Sequence, residues 1–368
     1  MHILITADTL GGVWTYTREL VKGLASSGVK LTLVSFGEIP SEEQTRWMEG
    51  VRGLDYRPTA FKLEWMQNSE EDMELSSAYL QELVREVKPD LLHFSQYYYG
   101  ALNCDVPRVV VAHSDVLSWW SCVHQTPPAE SAWLRWYRAA VTRGLAAATC
   151  VVAPSRWMLQ QIHKFYLTPA RGEVVYNGRT PTLFNPNARK NGQIITIGRL
   201  WDSGKNAALL LREPMPGDVH IVGAERHPES NSDAFVREDI PANVHLEPQQ
   251  GARELSEMLA SSSIYAATSQ YEPFGLAPLE AALSRCAIVA SDIPTFRELW
   301  GESAIFFRNN DAQHLKEVLH SLSNDPARGD IYAERAYQHA CRNYTASCMV
   351  SAYLDLYHSL VPESVAAR

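Results

Sequence analysis

Two carboxylates eight positions apart, Glu272 and Glu280, flank Phe274-Gly275-Leu276 in the stretch TSQYEPFGLAPLEAALSRCAIVAS, residues 268–291. The apolar run Ser263-Ile264-Tyr265-Ala266-Ala267 before it predicts a buried strand. The spacing of Leu276, Leu279, Glu280 and Leu283 predicts a helix. Glu272 then lies in a Gly-containing loop, and Glu280 about one turn into the helix. The first N–H groups of such a helix lack partners inside it and, with its dipole, make a site for an anion. A carboxylate is not attracted to phosphate, so the paired acids suit hydroxyls, those of a sugar or a ribose. Taken alone, the two residues fit a solvated loop position and an exposed helix position equally well.

Other residues could serve the same chemistry. The strand Ile3–Thr6 runs into Asp8-Thr9-Leu10-Gly11-Gly12 and then a helix. Backbone at Gly11 and Gly12 can come close to a phosphate there, although a plain tight turn has the same composition and no GxGxxG fingerprint is present. His113 follows the strand Arg108–Ala112, at the strand end where open α/β sheets place ligands. A hydrogen-bonded structural histidine would look the same. Arg199 at a strand end and Lys205 six residues on can converge on one phosphate, the first as a fork and the second as a point charge; surface charge is the alternative. Trp119-Trp120 reads as loop, where the rings could stack on a sugar ring or an apolar acceptor.

The elements that must hold these residues alternate along all 368 positions, short apolar strands with amphipathic helices, which predicts parallel sheets covered on both faces. The length suggests about two domains. The Pro/Asn/Gly-rich stretch from Val174 through Asn187 is the expected boundary. Strands are expected again at Gln193–Ile197, Val219–Val222, Val244–Leu246, Ala287–Ala290 and Ala304–Phe307, with Lys205 opening a helix. Residues 40–75 show no readable period.

Net charge is −9, and the first 185 residues are nearly neutral, with 17 Lys+Arg against 19 Asp+Glu. No basic stripe marks a nucleic-acid partner. Six cysteines show no CxxC pair or zinc-like spacing and read as reduced structural thiols of a cytoplasmic protein. No apolar run matches a signal peptide or a bilayer span. Loose attachment at the inner membrane face stays open, though no basic helix demands it.

Gly11-Gly12, His113, Gly198-Arg199-Leu200 with Lys205, Val175-Tyr176-Asn177-Gly178 and the Glu-Pro-Phe-Gly-Leu…Leu-Glu-Ala block occur in this order. Together they resemble the retaining glycosyltransferases of family four over nearly the whole chain. The resemblance implies the GT-B architecture, two Rossmann-like doubly wound domains facing a deep cleft. Residues 1–182 would form the acceptor-side domain, joined by a C-terminal helix at about 345–368, and 183–344 the nucleotide-sugar domain. It implies transfer of a hexose from a nucleotide-sugar, UDP- or GDP-linked, to a sugar or lipid-linked acceptor hydroxyl. The expected mechanism is front-face attack assisted by the leaving phosphate, with no cofactor and no metal, since no DxD-type cluster is present.

In that resemblance Arg199 and Lys205 neutralise the diphosphate. Glu272 orients sugar hydroxyls, Glu280 binds the ribose, and His113 contacts the sugar near the reacting carbon. Gly11, Gly12, Phe274, Gly275 and Leu276 complete the donor site. The chain departs from the pattern at Asn206 and Arg285, where glycine is common, and at Glu247-Pro248-Gln249-Gln250, which leaves the base undefined. Two other readings remain: a sugar-nucleotide 2-epimerase on the same fold, which the two glutamates speak against, and a non-catalytic sugar-nucleotide-binding protein. Nothing in the sequence fixes the oligomeric state.

Overall fold

The computed structural model describes residues 1–9, 11–223 and 240–361. Leu10, inside the expected glycine turn, and residues 362–368, inside the expected last segment, lie outside the described residues. The chain divides into two compact units: Met1–Ser121, Thr126–Gly178 and the chain from Ala346 form one, Cys122–Gln125 and Arg179–Thr345 the other.

Up to Val174 the elements run β1 (His2–Asp8), α1 (Gly12–Ser26), β2 (Lys30–Phe36), α2 (Glu42–Thr45), β3 (Leu54–Pro58), α3 (Glu70–Val87), β4 (Leu91–Phe94), β5 (Arg108–Val111), α4 (Val116–His124), α5 (Ala132–Ala147), β6 (Cys150–Ala153), α6 (Arg156–Phe165) and β7 (Gly172–Val174). The seven strands form one parallel sheet in the order β3-β2-β1-β4-β5-β6-β7. Alternate residues of β1 divide between two cores, Ile3, Ile5 and Ala7 on one face and Leu4 on the other. Burial on both faces explains why its central strands are continuous apolar runs.

The second unit repeats the plan with β8 (Ile194–Ile197), β9 (Val219–Val222), β10 (Val244–Glu247), α7 (Ala252–Ser261), β11 (Ile264–Ala267), α8 (Leu276–Leu283), β12 (Ala287–Ser291), α9 (Pro294–Trp300), β13 (Ile305–Phe307), α10 (Ala312–Asn324) and α11 (Pro326–Asn343). Its parallel sheet has the order β10-β9-β8-β11-β12-β13. Both sheets are doubly wound, and the order reverses beside the first strand of each, β1/β4 and β8/β11. That is where the carboxyl ends of the strands leave room for a ligand.

The last helix, α12 (Ala346–Leu360), belongs to the first unit and packs on α1 and β1 with Tyr353 and Tyr357 fully buried. Its fastening is polar as well as apolar. The buried His93 of β4 lies 2.7 Å from Tyr357 Oη through Nδ1 and 3.2 Å from Tyr16 Oη through Nε2. Burial pushes the His93 pKa down to about 3, so the ring is neutral there.

Two expectations need correction. Trp119 and Trp120 are not in a loop: they sit within α4, whose start is capped by the buried Asp115, with Ser118 N donating to Oδ1 at 2.9 Å. Lys205 opens no α-helix. It ends a turn, Asn206 follows at φ 51°, and only a 3-10 helix, Ala207–Leu211, comes next. Segment 40–75, unread in the sequence, supplies α2 and the half-buried edge strand β3.

Candidate functional site

In the second unit the residues singled out by the sequence gather at the carboxyl ends of β8 and β11. β8 runs into Gly198-Arg199, and the turn that follows is built on the buried Asp202. Asp202 accepts from Gly204 N through Oδ1 at 2.9 Å and from Arg199 Nη2 through Oδ2 at 2.7 Å, while its carbonyl accepts from Lys205 N at 3.0 Å. Arg199 is half exposed and also covers the Trp201 ring at 4.6 Å, so its fork is held in place yet stays accessible.

Lys205 reaches from this turn to the loop after β11. Its Nζ donates to Glu272 Oε2 at 2.6 Å, and Ser269 Oγ donates to the same oxygen at 3.2 Å. Thr268 Oγ1 donates to Lys205 O at 3.0 Å, and Gln270 N to Gly204 O at 2.9 Å. Two loops distant in sequence are thereby stitched at the switch point of the sheet, and the stitch carries one cation and one buried anion.

Gly275 makes the corner between Glu272 and α8. It has φ 94°, a left-handed conformation that side-chain-bearing residues avoid, and a Cβ there would stand 3.1 Å from Glu272 Cγ and from Pro278 Cγ. No side chain caps α8, so the N–H groups of its first turn, at Leu276 and Ala277, have no capping partner; Pro278 has none to offer. The Phe274 ring is buried edge-on against Tyr344 at 5.4 Å, so the side chain packs the loop.

Glu280, one turn into α8, pairs with Arg179: Nε stands 2.8 Å from Oε1. Arg179 is 4% exposed, covers the Phe184 ring at 5.3 Å, and its backbone bridges to Thr345. Sequence reasoning missed Arg179, since nothing beside Gly178 signals a partner so far along the chain. Asp202 was findable, because an acid three residues after an arginine can fold back on it.

In the first unit, Gly11 adopts φ 68° before the exposed, uncapped start of α1 at Gly12. His113 follows β5, with Nε2 3.3 Å from Ser95 Oγ and its ring against Tyr16 at 4.7 Å. Burial pushes its pKa down to about 3, so the imidazole is neutral and cannot serve as a countercharge to phosphate. Trp119 and Trp120 are half buried and meet edge to face at 6.3 Å.

The departures from the family pattern at Asn206 and Arg285 both lie at positive φ, 51° and 60°, which explains why glycine suits those places. Asn tolerates the left-handed region. Arg285 is anchored there by Glu334, at 2.9 Å, and by the Tyr337 ring, at 4.8 Å. Among the described residues, no helix is long and apolar enough to cross a membrane.

A family profile described as "Glycosyltransferase Family 4" matches residues 10–182, and one described as "Glycosyl transferases group 1" matches residues 205–339. The lipopolysaccharide core biosynthesis mannosyltransferase LpcC of Rhizobium leguminosarum bv. viciae is 35% identical over 104 residues, covering 28% of this chain and only 30% of that relative. The alpha-maltose-1-phosphate synthase of Mycobacterium tuberculosis is 23% identical over 296 residues, 71% of this chain and 75% of its own.

Among solved structures, the sucrose-phosphate synthase of Thermosynechococcus elongatus superposes with a TM-score of 0.80 at 16% identity, covering 98% of this chain and 99% of that one. HepE of Anabaena, solved in complex with UDP-glucose, gives 0.76 at 16% identity over 98% of this chain and 100% of its own. The fold is therefore GT-B. With residues 10–182 and 205–339 matched by the two transferase profiles, the chain belongs to the family-four glycosyltransferases.

Proposed function

We propose that this glycosyltransferase moves a hexose from a nucleoside-diphosphate sugar to an acceptor hydroxyl with retention of configuration, without a metal ion or other cofactor. The observation that carries the reading is the Lys205–Glu272 contact of 2.6 Å at the β8/β11 switch point, beside the uncapped start of α8. A cation, free N–H donors and a buried carboxylate in one place suit a ligand that joins an anion to hydroxyls.

The roles follow from charge. As the sugar–phosphate bond breaks, negative charge grows on the leaving diphosphate. Lys205, Arg199 and the first N–H groups of α8 stabilise it there, more strongly in the transition state than before. Glu272, already fixed by Lys205 and Ser269, accepts from sugar hydroxyls. Glu280, oriented by Arg179, accepts from the ribose. The neutral His113 exchanges a hydrogen bond with the sugar, and Gly11-Gly12 offers further backbone donors. The acceptor oxygen attacks from the side the diphosphate leaves, and a phosphate oxygen takes its proton, so the charge of the leaving group is spent on the nucleophile.

The names of the relatives favour a hexose, and UDP-glucose in HepE favours a nucleotide-sugar donor, which we take to be UDP- or GDP-linked. The acceptor is a sugar or a lipid-linked sugar, and the protein works in the cytoplasm or at the inner membrane face. The test is incubation with UDP-, GDP- and ADP-sugars in the presence of EDTA, following free nucleoside diphosphate and the anomeric signal of the product. Acceptor-dependent release with the donor's anomeric configuration kept is expected. Interconversion of the nucleotide-sugar without release, an inverted product or loss of rate in EDTA would each refute the corresponding part.

A further inference from the structure

The segment after β3 carries a charge into the interior of the first unit. Glu64 is only 3% exposed, and its two oxygens accept from consecutive backbone N–H groups, Oε1 from Tyr97 at 2.9 Å and Oε2 from Tyr98 at 2.6 Å. These groups open the 3-10 helix Tyr98–Ala101, which has no side-chain cap of its own. A distant glutamate thus does the work of a cap, through charge-assisted bonds. Burial and the nearby Asp8 oppose the charge and push the Glu64 pKa up to about 7. A carboxylate kept at such a cost has to be repaid by the donors it holds.

Tyr97 faces the other way. Its hydroxyl donates to Ser114 O at 2.9 Å, one residue past His113. Ser95, at the start of the same turn, lies 3.3 Å from the His113 ring through Oγ, and its N–H donates to Thr6 Oγ1 of β1 at 3.1 Å. The turn 95–98 therefore meets the His113 ring through Ser95 and the loop just past it through Tyr97. From behind, α5 leaves the turn no room: a Cβ on Gly144 would fall 1.8 Å from Tyr97 O. With its back closed by helix, the turn is fixed at the front by Glu64.

The geometry points to Glu64 as a positioning residue for His113: its carboxylate clasps Tyr97 and Tyr98, and Tyr97 passes that constraint to the loop that holds the imidazole. Glu64 itself touches no substrate. The inference rests on the reading of His113 as a sugar contact.

The experiment uses the full chain with 13C-labelled histidine, the His113 signal being identified by its loss in His113→Gln, together with turnover of the donor. Glu64→Gln and Tyr97→Phe should each move the His113 signal and lower kcat roughly tenfold or more, as a misplaced group does. The double variant should lose no more than the worse single one, because both act through one turn. Tyr97→Phe removes a single oxygen, so the test survives if Glu64→Gln does not fold. A His113 signal unmoved in the folded variants overturns the inference, as do kcat losses that multiply in the double variant. The signal is read without substrate, so a wild type that turns over no donor counts against the proposed function and leaves this test standing.

Discussion

Arg179 and Glu280 form a nearly buried ion pair, 2.8 Å from Nε to Oε1, with the guanidinium also laid over Phe184. Removing one partner of such a pair leaves the other charge without compensation. Arg179→Ala should therefore cost about 3 kcal/mol of stability. It should also raise the donor KM with a smaller change in kcat, because ribose contacts bind the ground and transition states alike. Melting curves and calorimetric titration with nucleoside diphosphate check both; unchanged nucleotide affinity would separate Arg179 from the donor site.

Lys205→Ala and Glu272→Ala should each lower turnover by roughly a hundredfold or more with the fold intact, the scale of losing one preorganised stabilising group. Since the two side chains touch at 2.6 Å, their losses should not add in the double variant. Steady-state kinetics on the two singles and the double decide it. Near-normal activity in either single variant removes that residue from the mechanism.

Gly275→Ala combines a strained backbone with a push on Glu272. At φ 94° an L-residue costs roughly 1–2 kcal/mol, and the new methyl meets Glu272 Cγ at 3.1 Å. Stability should fall modestly and turnover more than stability implies, because the displaced group is the carboxylate itself. Equal, small losses in both would show that the loop gives way elsewhere.

Titration gives a further check, with opposite signs. Glu64 is raised from 4.5 to about 7, so it binds its proton more tightly when folded, and it removes stability as pH climbs from 4.5 through 7. The full effect is on the order of 3 kcal/mol. His93 and His113, pushed down to about 3, act the other way: they remove stability as pH falls below 6.5. Between pH 4.5 and 6.5 the two histidines outweigh Glu64, whose loss shows there as a shallower rise and from 6.5 to 7 as a fall; Glu64→Gln should steepen the rise and remove the fall. Denaturant midpoints measured across that range test it, and an unchanged slope in the variant would contradict the buried charge.

What could be read from the sequence was what lies within one loop or one strand. The central strands show as apolar runs because both faces of each sheet are covered, and the Glu272–Glu280 block shows because its residues share one strand-loop-helix corner. β3, with the sequence LDYRP, is a half-buried edge strand and lacks an apolar run to reveal it. α4 hides because Trp119-Trp120 and the residues before it give no helical period as clear as that of α5. Arg179 and Glu64 escape for another reason. Each looks like a surface charge until a partner from a remote segment supplies its meaning, as Tyr97 does for Glu64 from 33 positions away.

The seating of α12 sets an order of assembly during synthesis. Residues 179–345 hold one sheet and its helices without interruption, apart from the short segment 122–125 made earlier. The first sheet, although translated before the second, lacks Tyr353 and Tyr357 over β1 and β4 until the ribosome has passed Tyr357. The lobe made first is thus the lobe finished last, and a nascent chain halted at Thr345 should display an uncovered apolar face to chaperones.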